Sequence, residues 1–433
     1  MKITSIKGFS DILPEEVGAW QQVESVARRV FKVYNFAEIR IPVLEKTELF
    51  SRSIGETTDI VEKEMYTFDD RDNRNAESSD ATKLTLRPEG TAGVVRAYVE
   101  AEMYKSEPAR KLYYMGPMFR RERPQKGRMR QFHQIGAEAL GRADAFIDAE
   151  ILLLLNDFFA ALDLRELCLE LNSLGDAECR PRYRDELLAF LKAREDSLCA
   201  NCRRRIDRNP LRALDCKEPG CIVATKDAPS ILDALCLPCR THFDTVQKLL
   251  ADSGVRYRLN GRMVRGLDYY CRTTFEWTTT RLGSQSAIAA GGRYDGLVEQ
   301  LGGPPIPGVG FAMGVERLTM LLKMHEQAIL PGPDLYFVWI GDKARSWAFP
   351  IAHRLRQRNL VVEMEGESRS LKSQMRRADK FRATAVLIVG DDELAKGEGV
   401  LRDMASKRQE NIKLANIETE LSARKQFNGR AGL

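Results

Sequence analysis

Residues 118–138 read MFRRERPQKGRMRQFHQIGAE. Arg120, Arg121, Arg123, Lys126, Arg128 and Arg130 put six cations into eleven residues, with Glu122 the one acid among them. Such a run is ordinarily a solvated loop. A guanidinium, however, presents a planar fork that pairs two oxygens at once and never loses its charge, so clustered arginines can also clamp a polyphosphate. The two commonest nucleotide cradles are missing: there is no GxxxxGK[ST], and no GxGxxG follows a strand-like run. Any nucleotide site here must hold phosphate by other means. Phe132, at the far edge of the run, offers a flat face to a purine.

Five further segments carry polar residues inside apolar, strand-like text: LRPEGTAGVVR (86–96), QFHQIGAE (131–138), VRGLDYY (264–270), AAGGRYDGL (289–297) and GVGFAMGVERL (308–318). They contribute Glu89, Glu138, Asp268, Arg265 and Arg317 to what reads as one antiparallel sheet. Burying a charge is costly unless a ligand or partner compensates it. One buried charge is usually a satisfied structural residue; five on one sheet are better explained by a site.

The nine cysteines are clustered, six of them between Cys199 and Cys239. Cys199-x2-Cys202 and Cys236-x2-Cys239 are two CxxC knuckles, each able to bring two thiolates to a tetrahedral ion, and we read the four as one structural zinc site. Cys216 and Cys221 offer an alternative pair. The competing account is that these are small buried residues or loose thiols.

The elements that must position these groups follow from periodicity. Pro14 opens a helix with Val17, Trp20, Val23, Val26, Val30 and Phe31 at helical spacing. Ile39, Ile41 and Val43 alternate as in a strand, and Pro42 within that run argues for an edge or interface position. KLYYMGPMF and RQFHQIGAEAL flank the arginines, which makes the run the loop of a β-hairpin. Asp144 caps a long helix with Ile147, Ile151, Leu154, Leu155, Phe158 and Leu162 on one face. Residues 70–82 are polar and read as a loop. MVRGLDYYCRTTFEWTT reads as strand, and GVGFAMGVERLTMLL as a strand entering a helix.

The domain plan is residues 1–325, interrupted at about 175–255 by a helical, cysteine-rich and basic insertion module, then a linker at 326–333 and an α/β domain at 334–433. In that last domain LYFVWI, LVVEME and TAVLIVG alternate with helical patterns. At 433 residues, 43% apolar and 30% charged, the chain has the composition of a soluble globular protein. No run is apolar and long enough to span a bilayer, and the first residues lack a secretion signal, so the expectation is a cytoplasmic protein with no membrane partner. A net charge of +5 permits a polyanionic partner without demanding one.

In their order and content these segments resemble the class II aminoacyl-tRNA synthetases, and within them the histidyl-tRNA synthetases of bacterial type. FAEIRIPVLEKTELF is similar to motif 1, a dimer-interface element whose proline matches Pro42; FRRERPQKGRMRQFHQIGAE to motif 2; GVGFAMGVERL to motif 3. RGLDYY and AAGGRYDGL resemble the two segments peculiar to the histidine enzymes. The resemblance implies an α+β fold: an antiparallel-sheet catalytic core flanked by helices, a helical insertion, and a C-terminal α/β anticodon-binding domain. It implies activation of L-histidine by ATP with Mg2+, transfer of histidine to tRNA(His), and a homodimer.

Site roles are carried over by the same resemblance. Arg120 matches the α-phosphate contact, Glu122 the acid that reads the adenine amino group, Phe132 the residue beneath adenine, and Arg317 the arginine on the γ-phosphate side. Glu89, Gly90, Thr91 and Gln134 match the α-amino pocket; Glu138 and Tyr270 the groups that bond the imidazole; Tyr269 the pocket wall. Arg265 matches an arginine regarded as catalytic and is counted among the histidine-binding residues as well; Arg120 is the other residue assigned to catalysis. The family's insertion module is not generally regarded as metal-dependent. The basic stretch CRRRIDRNPLR within it suits the acceptor arm of tRNA or plain solvation. The run Arg369, Lys372, Arg376, Arg377, Lys380, Arg382 suits RNA phosphates. Two rival readings are a non-catalytic regulatory subunit of ATP phosphoribosyltransferase, which lacks the C-terminal domain, and another class II synthetase of prolyl, threonyl or glycyl type.

Overall fold

The computed structural model describes residues 2–427 except 56, 57, 59, 71–82, 108, 126, 265, 266, 268, 284–286 and 325–331. The polar stretch at 70–82, apart from Asp70, and most of the expected linker lie outside the described residues. The chain divides into two compact units, Met1–Ala328 and Ile329–Leu433.

The first unit is built on an eight-stranded sheet. Its order is Ala37–Glu38, Arg110–Phe119, Gln131–Leu140, Gly308–Gly314, Ala287–Arg293, Cys271–Thr278, Cys168–Ser173, Tyr257–Leu259. The interior pairings are antiparallel, and only the two outermost are parallel. Arg110–Phe119 and Gln131–Leu140 form the expected hairpin, closed at its loop end by the Arg120 amide donating to the Arg130 carbonyl at 2.8 Å.

Because side chains alternate across a strand, the register decides what each face presents. Across the middle strands Glu138 lies opposite Gly310, which lies opposite Gly292; the next row is Gly136, Ala312, Ala290 and Glu276. That face is a floor of glycine and alanine with acids standing on it. The residues of opposite parity, Ile135, Ala137, Val309, Phe311 and Met313, are buried in the main core. Helices Pro14–Val33, Ala145–Ala161, Val315–Met324 and those of the insertion pack into the same core, with Phe31 stacked on Tyr113 at 4.4 Å between ring centroids. The cap at Asp144 forms as expected: its side chain accepts from the Phe146 and Ile147 amides at 3.1 and 3.3 Å.

Two expectations are corrected, and one strand is added. The alternating run through Ile39, Ile41 and Val43 is not one strand but two short ones, Ala37–Glu38 and Leu44–Lys46. Pro42 has no N–H for a ladder, and the carbonyls of Ile41 and Pro42 instead accept from Arg87 Nη1 at 2.7 and 3.3 Å. The strand expected through MVRGLDYY begins only at Cys271. Cys168–Ser173, an interior strand, was not foreseen.

The insertion contains helices Cys179–Lys192, Ala200–Arg205, Pro219–Ala224 and Leu237–Asp252 joined by short 3-10 turns. It is clipped to the sheet by buried charges. Arg293 is fully buried, ion-paired with Asp148 and, at 2.9 Å, with Asp295, while His242 Nε2 of the insertion's last helix lies 2.7 Å from Asp148 Oδ2. Burial alone would push the Asp148 carboxyl up; His242 and Arg293 together hold it below the ordinary carboxylate range.

The second unit has a five-stranded mixed sheet, Val362–Met364, Leu335–Ile340, Ala385–Gly390, Glu398–Asp403, Gln409–Lys413, parallel in its first three strands and antiparallel beyond. Its basic helix Leu371–Lys380 turns Gln374 and Ala378 inward, and Gln374 Nε2 donates to the Trp339 carbonyl at 2.7 Å. Lys372, Arg376 and Lys380, with Arg382 beyond the helix, remain exposed. Arg369 and Arg377 are drawn to Glu365, at 3.6 and 3.0 Å.

Candidate active site

A cavity of about 260 Å³ lies over the glycine–alanine floor. Glu89, Thr91 and Gln134 line one end, and behind Thr91 stands Glu138, which has no solvent exposure. Glu138 Oε1 accepts from Thr91 Oγ1 at 2.7 Å and Oε2 from the Tyr294 hydroxyl at 2.5 Å. Burial pushes this carboxyl up to about 8; the two hydroxyl donors pull it down, and the Glu89 carboxylate adds a further push. Glu89 is itself buried, with a raised pKa for the same reason, and accepts the Thr91 and Ala92 amides at 2.6 and 3.0 Å at the start of helix Thr91–Glu100. Gln134, Tyr269 and Tyr270 line the same cavity, and Gln134 Oε1 is buried with no hydrogen-bond partner among the described residues. Gly90 abuts the ring of Tyr114 so closely that a Cβ there would sit 2.2 Å from Cε2.

The other end is cationic. Arg120 leaves the hairpin strand, donates from Nε to the Pro88 carbonyl at 2.8 Å, and lies over the Phe132 ring at 5.2 Å. Arg317 enters from helix Val315–Met324 and Arg128 from the hairpin loop; both line the cavity. Burial lowers the Arg317 pKa, and the like charges of Arg128 and Arg120 lower it further, against the partial relief of Glu122 and Glu276. Glu122 lies 2.6 Å from Arg128 Nε and 3.8 Å from Arg120 Nη1. Guanidinium groups crowded on one another at the end of a closed-in cleft are arranged for an anion that bridges them.

The structure thus brings Glu89, Thr91, Arg120, Glu122, Phe132, Gln134, Tyr269, Tyr270 and Arg317 to one cavity, with Glu138 buried in its wall. Arg265 and Asp268 lie outside the described residues. Sequence reading missed Tyr294, Gly310 and Arg128. Tyr294 and Glu138 are 156 residues apart, a contact that no spacing rule reveals, although Tyr294 lies within AAGGRYDGL. Gly310 would, with a Cβ, approach Glu138 Oε2 to 1.8 Å; its signal was a glycine in mid-strand, which marks a close approach. Arg128 was visible only as one more cation in the run.

The cysteines are a correction. The two CxxC knuckles do not converge on one ion: Cys199 and Cys202 gather with Cys216 and Cys221, whereas Cys236 and Cys239 gather with Cys179 and Asp176. The four-cysteine set 199, 202, 236, 239 is therefore not a site. Each knuckle instead finds its complement in residues whose spacing carries no motif.

An antiparallel sheet with phosphate-ready arginines on its open face, entered by a hairpin and left through a strand that runs into a helix, is the catalytic core of a class II aminoacyl-tRNA synthetase. The comparisons agree. Residues 8–318 match the family model "Histidyl-tRNA synthetase" and residues 334–424 the model "Anticodon binding domain". Histidine–tRNA ligases from Syntrophotalea carbinolica and Geobacter sulfurreducens are 56% and 57% identical, over 97% and 95% of this chain and 98% and 97% of theirs. The crystal structure of apo histidyl-tRNA synthetase from S. aureus superposes with a TM-score of 0.79 at 33% identity, covering 97% of this chain and all of that one. The chain belongs to the histidyl-tRNA synthetase family, and its activity is histidine–tRNA ligation. A non-catalytic regulatory subunit is not favoured.

Proposed function

We propose that the cavity activates L-histidine with ATP and then hands it to tRNA(His), with the site residues in the roles their positions suit. The observation that carries this reading is the convergence of Arg120, Arg128 and Arg317 at one end of the cavity whose other end is lined by Glu89, Thr91, Gln134, Tyr269 and Tyr270, with Glu138 bonded behind Thr91. ATP lies with its phosphates among the guanidiniums, adenine against Phe132 and its amino group toward Glu122. Histidine lies with its ammonium between Glu89, Thr91 and Gln134 and its ring toward Glu138, Tyr269 and Tyr270. The unpartnered Gln134 oxygen supports the ammonium end, since a buried acceptor is costly until a donor reaches it. Gly90 lets the Glu89–Thr91 segment lie against the Tyr114 ring.

A histidine carboxylate oxygen then bonds to the α-phosphorus, the bond from that phosphorus to the bridging oxygen breaks, and pyrophosphate leaves. Negative charge grows on the phosphoryl oxygens, so fixed cations stabilise the transition state more than the ground state. The nucleophile is already an anion and requires no base. Mg2+ accompanies the nucleotide and offsets charge that the arginines do not. Arg265 takes the catalytic position that its match in RGLDYY implies, beside the α-phosphate. In the second step the terminal ribose hydroxyl of tRNA bonds to the adenylate carbonyl carbon, the bond from that carbon to the phosphate oxygen breaks, and AMP departs.

A cavity that pairs a substrate's polar ring rejects apolar amino acids by leaving its own buried groups unpaired, worth roughly 10⁴–10⁵ in comparable sites. ATP–pyrophosphate exchange assayed across single amino acids tests the assignment: histidine alone should support exchange, and a different amino acid doing so would overturn it. Arg265→Ala should slow single-turnover adenylate formation while leaving histidine affinity nearly intact; an unchanged rate removes that role.

The catalytic domain is taken as 1–325 around the insertion at about 175–255, with 334–433 as the anticodon-binding domain. The chain acts as a homodimer in the cytoplasm. Exposed Val43 and Leu44 beside Pro42, next to the edge strand of the large sheet, support a dimer contact there. No helix among the described residues is long and apolar enough to cross a membrane. Sedimentation giving a monomer at assay concentration would remove the dimer.

A further inference from the structure

We propose that the insertion holds two separate structural zinc ions, one bound by Cys199, Cys202, Cys216 and Cys221, the other by Asp176, Cys179, Cys236 and Cys239. The ligand atoms of each group all lie within 4.8 Å of one another. A tetrahedral ion with Zn–S bonds of about 2.3 Å spaces its sulfurs by about 3.8 Å. Cys199 Sγ and Cys216 Sγ stand 3.9 Å apart. A disulfide needs about 2.05 Å, and all nine cysteines are free.

The surroundings also suit thiolates. The Cys199 amide donates to Cys221 Sγ at 3.1 Å, the Cys202 amide to Cys199 Sγ at 3.5 Å, and the Cys236 amide to Cys179 Sγ at 3.2 Å. Amide N–H groups aimed at sulfur orient metal-bound thiolates and disperse their charge. Four anionic ligands around a divalent ion leave a net charge of about −2. At the first group Arg205, Arg212 and Lys217 line the adjoining pocket; at the second, Arg272 Nη2 lies 3.5 Å from Asp176 Oδ2. Sulfur-rich tetrahedral sets select zinc among divalent ions that do no redox chemistry, and four protein ligands leave no open position, so both ions are structural.

Between residues 195 and 234 the helices and 3-10 turns are only three to six residues long; Leu198, Ile206, Ala213, Leu214 and Ile231 anchor them in the main core, and a metal would fix the turns between those anchors. The first ion ties Ala200–Arg205 to Pro219–Ala224. The second ties the loop after Cys168–Ser173 to the start of Leu237–Asp252, closing the module at its root. That root adjoins the sheet, since the Leu174 and Arg272 amides donate to the Arg272 and Gly175 carbonyls, each at 2.7 Å.

The test is metal content of the full-length protein, purified reduced and without chelator. Two zinc per chain are expected. Cys216→Ser/Cys221→Ser and, separately, Asp176→Asn/Cys179→Ser should each retain one, and Cys168→Ser, in neither group, should retain two. Should the variants fail to fold, cobalt titrated into metal-stripped wild-type protein serves instead: thiolate-to-cobalt absorption must saturate at two equivalents. Trace metal in the protein as purified, saturation at one equivalent, a double variant that still holds two zinc, or an iron–sulfur chromophore would each overturn the proposal.

Discussion

Glu138 is a carboxyl without solvent beside a second buried acid, and in the proposed reading its proton is the residue-scale control on histidine binding. With its folded pKa near 8 against an ordinary 4.5, it holds a proton across the neutral range that the unfolded chain has released. Its contribution to stability is therefore present at low pH and lost as pH rises from about 4.5 through about 8. Histidine needs the opposite state, because a ring N–H seeks an ionised acceptor. We expect kcat/KM for histidine to climb as pH rises toward 8 while that for ATP does not follow, and the climb to vanish in Glu138→Gln. The same variant loses a charge-assisted bond of about 1.5–3 kcal/mol, so KM for histidine should rise roughly 10- to 150-fold with ATP little affected. Equal effects on both substrates would dissociate Glu138 from the ring. At the cationic end, Arg120→Ala and Arg317→Ala should each slow adenylate formation by about 10²–10³, the usual cost of one transition-state donor. Burst-free exchange kinetics at saturating ATP would separate that loss from weaker nucleotide binding.

At the scale of elements, the cavity exists because neighbouring strands place small residues in register. Gly310→Ala puts a Cβ into Glu138 Oε2, and we expect histidine activation to fall at least tenfold with a stability loss of about 1–3 kcal/mol from overpacking. A variant of full activity would mean that the carboxylate can move aside without cost. Asp148→Asn strips one of the two carboxylates paired with Arg293, leaving Asp295, and removes the charged partner of His242. Breaking a buried pair costs up to about 3–5 kcal/mol, less what Asp295 still offsets, read as a lower unfolding free energy; a loss under about 1 kcal/mol, roughly the effect of an exposed pair, would make the network decorative. These elements were unevenly legible in the sequence. Helices Pro14–Val33 and Ala145–Ala161 announce themselves by spacing and cap, and the hairpin by its two apolar flanks. Ile39 to Val43 misled because alternation says nothing of where carbonyls go, and Arg87 claims them. Cys168–Ser173 is short and half polar, so its strand character appears only beside Cys271–Thr278. Within the site, the polar residues inside apolar text were legible, whereas Tyr294, which acts through a partner 156 residues away, was not. The cysteines show the same limit: CxxC pairs are visible, but Asp176, Cys179 and the pairing of knuckles are set by the helices between them.

At the scale of the whole molecule, the two units have separate cores, one around the large sheet and one around Trp339, Phe337 and Leu387. Every described residue of the cavity belongs to the first. Deleting residues 330–433 should therefore spare histidine-dependent pyrophosphate exchange and weaken charging of tRNA; full charging by the truncated chain would show that the second unit does not serve RNA. On helix Leu371–Lys380 and just beyond it the exposed cations are Lys372, Arg376, Lys380 and Arg382, and they are the ones expected to set the size of the effect. Each phosphate neutralised releases counterions, so the logarithm of affinity falls with the logarithm of salt at about −0.7 to −0.9 per contact. Replacing all four by glutamine should flatten that slope by about 3. Arg369 and Arg377 already answer to Glu365, and replacing those two should change the slope by less than 1, the value for a single phosphate contact. A slope unmoved by the quadruple replacement would shift the RNA contact elsewhere, with CRRRIDRNPLR of the insertion the next basic stretch to test.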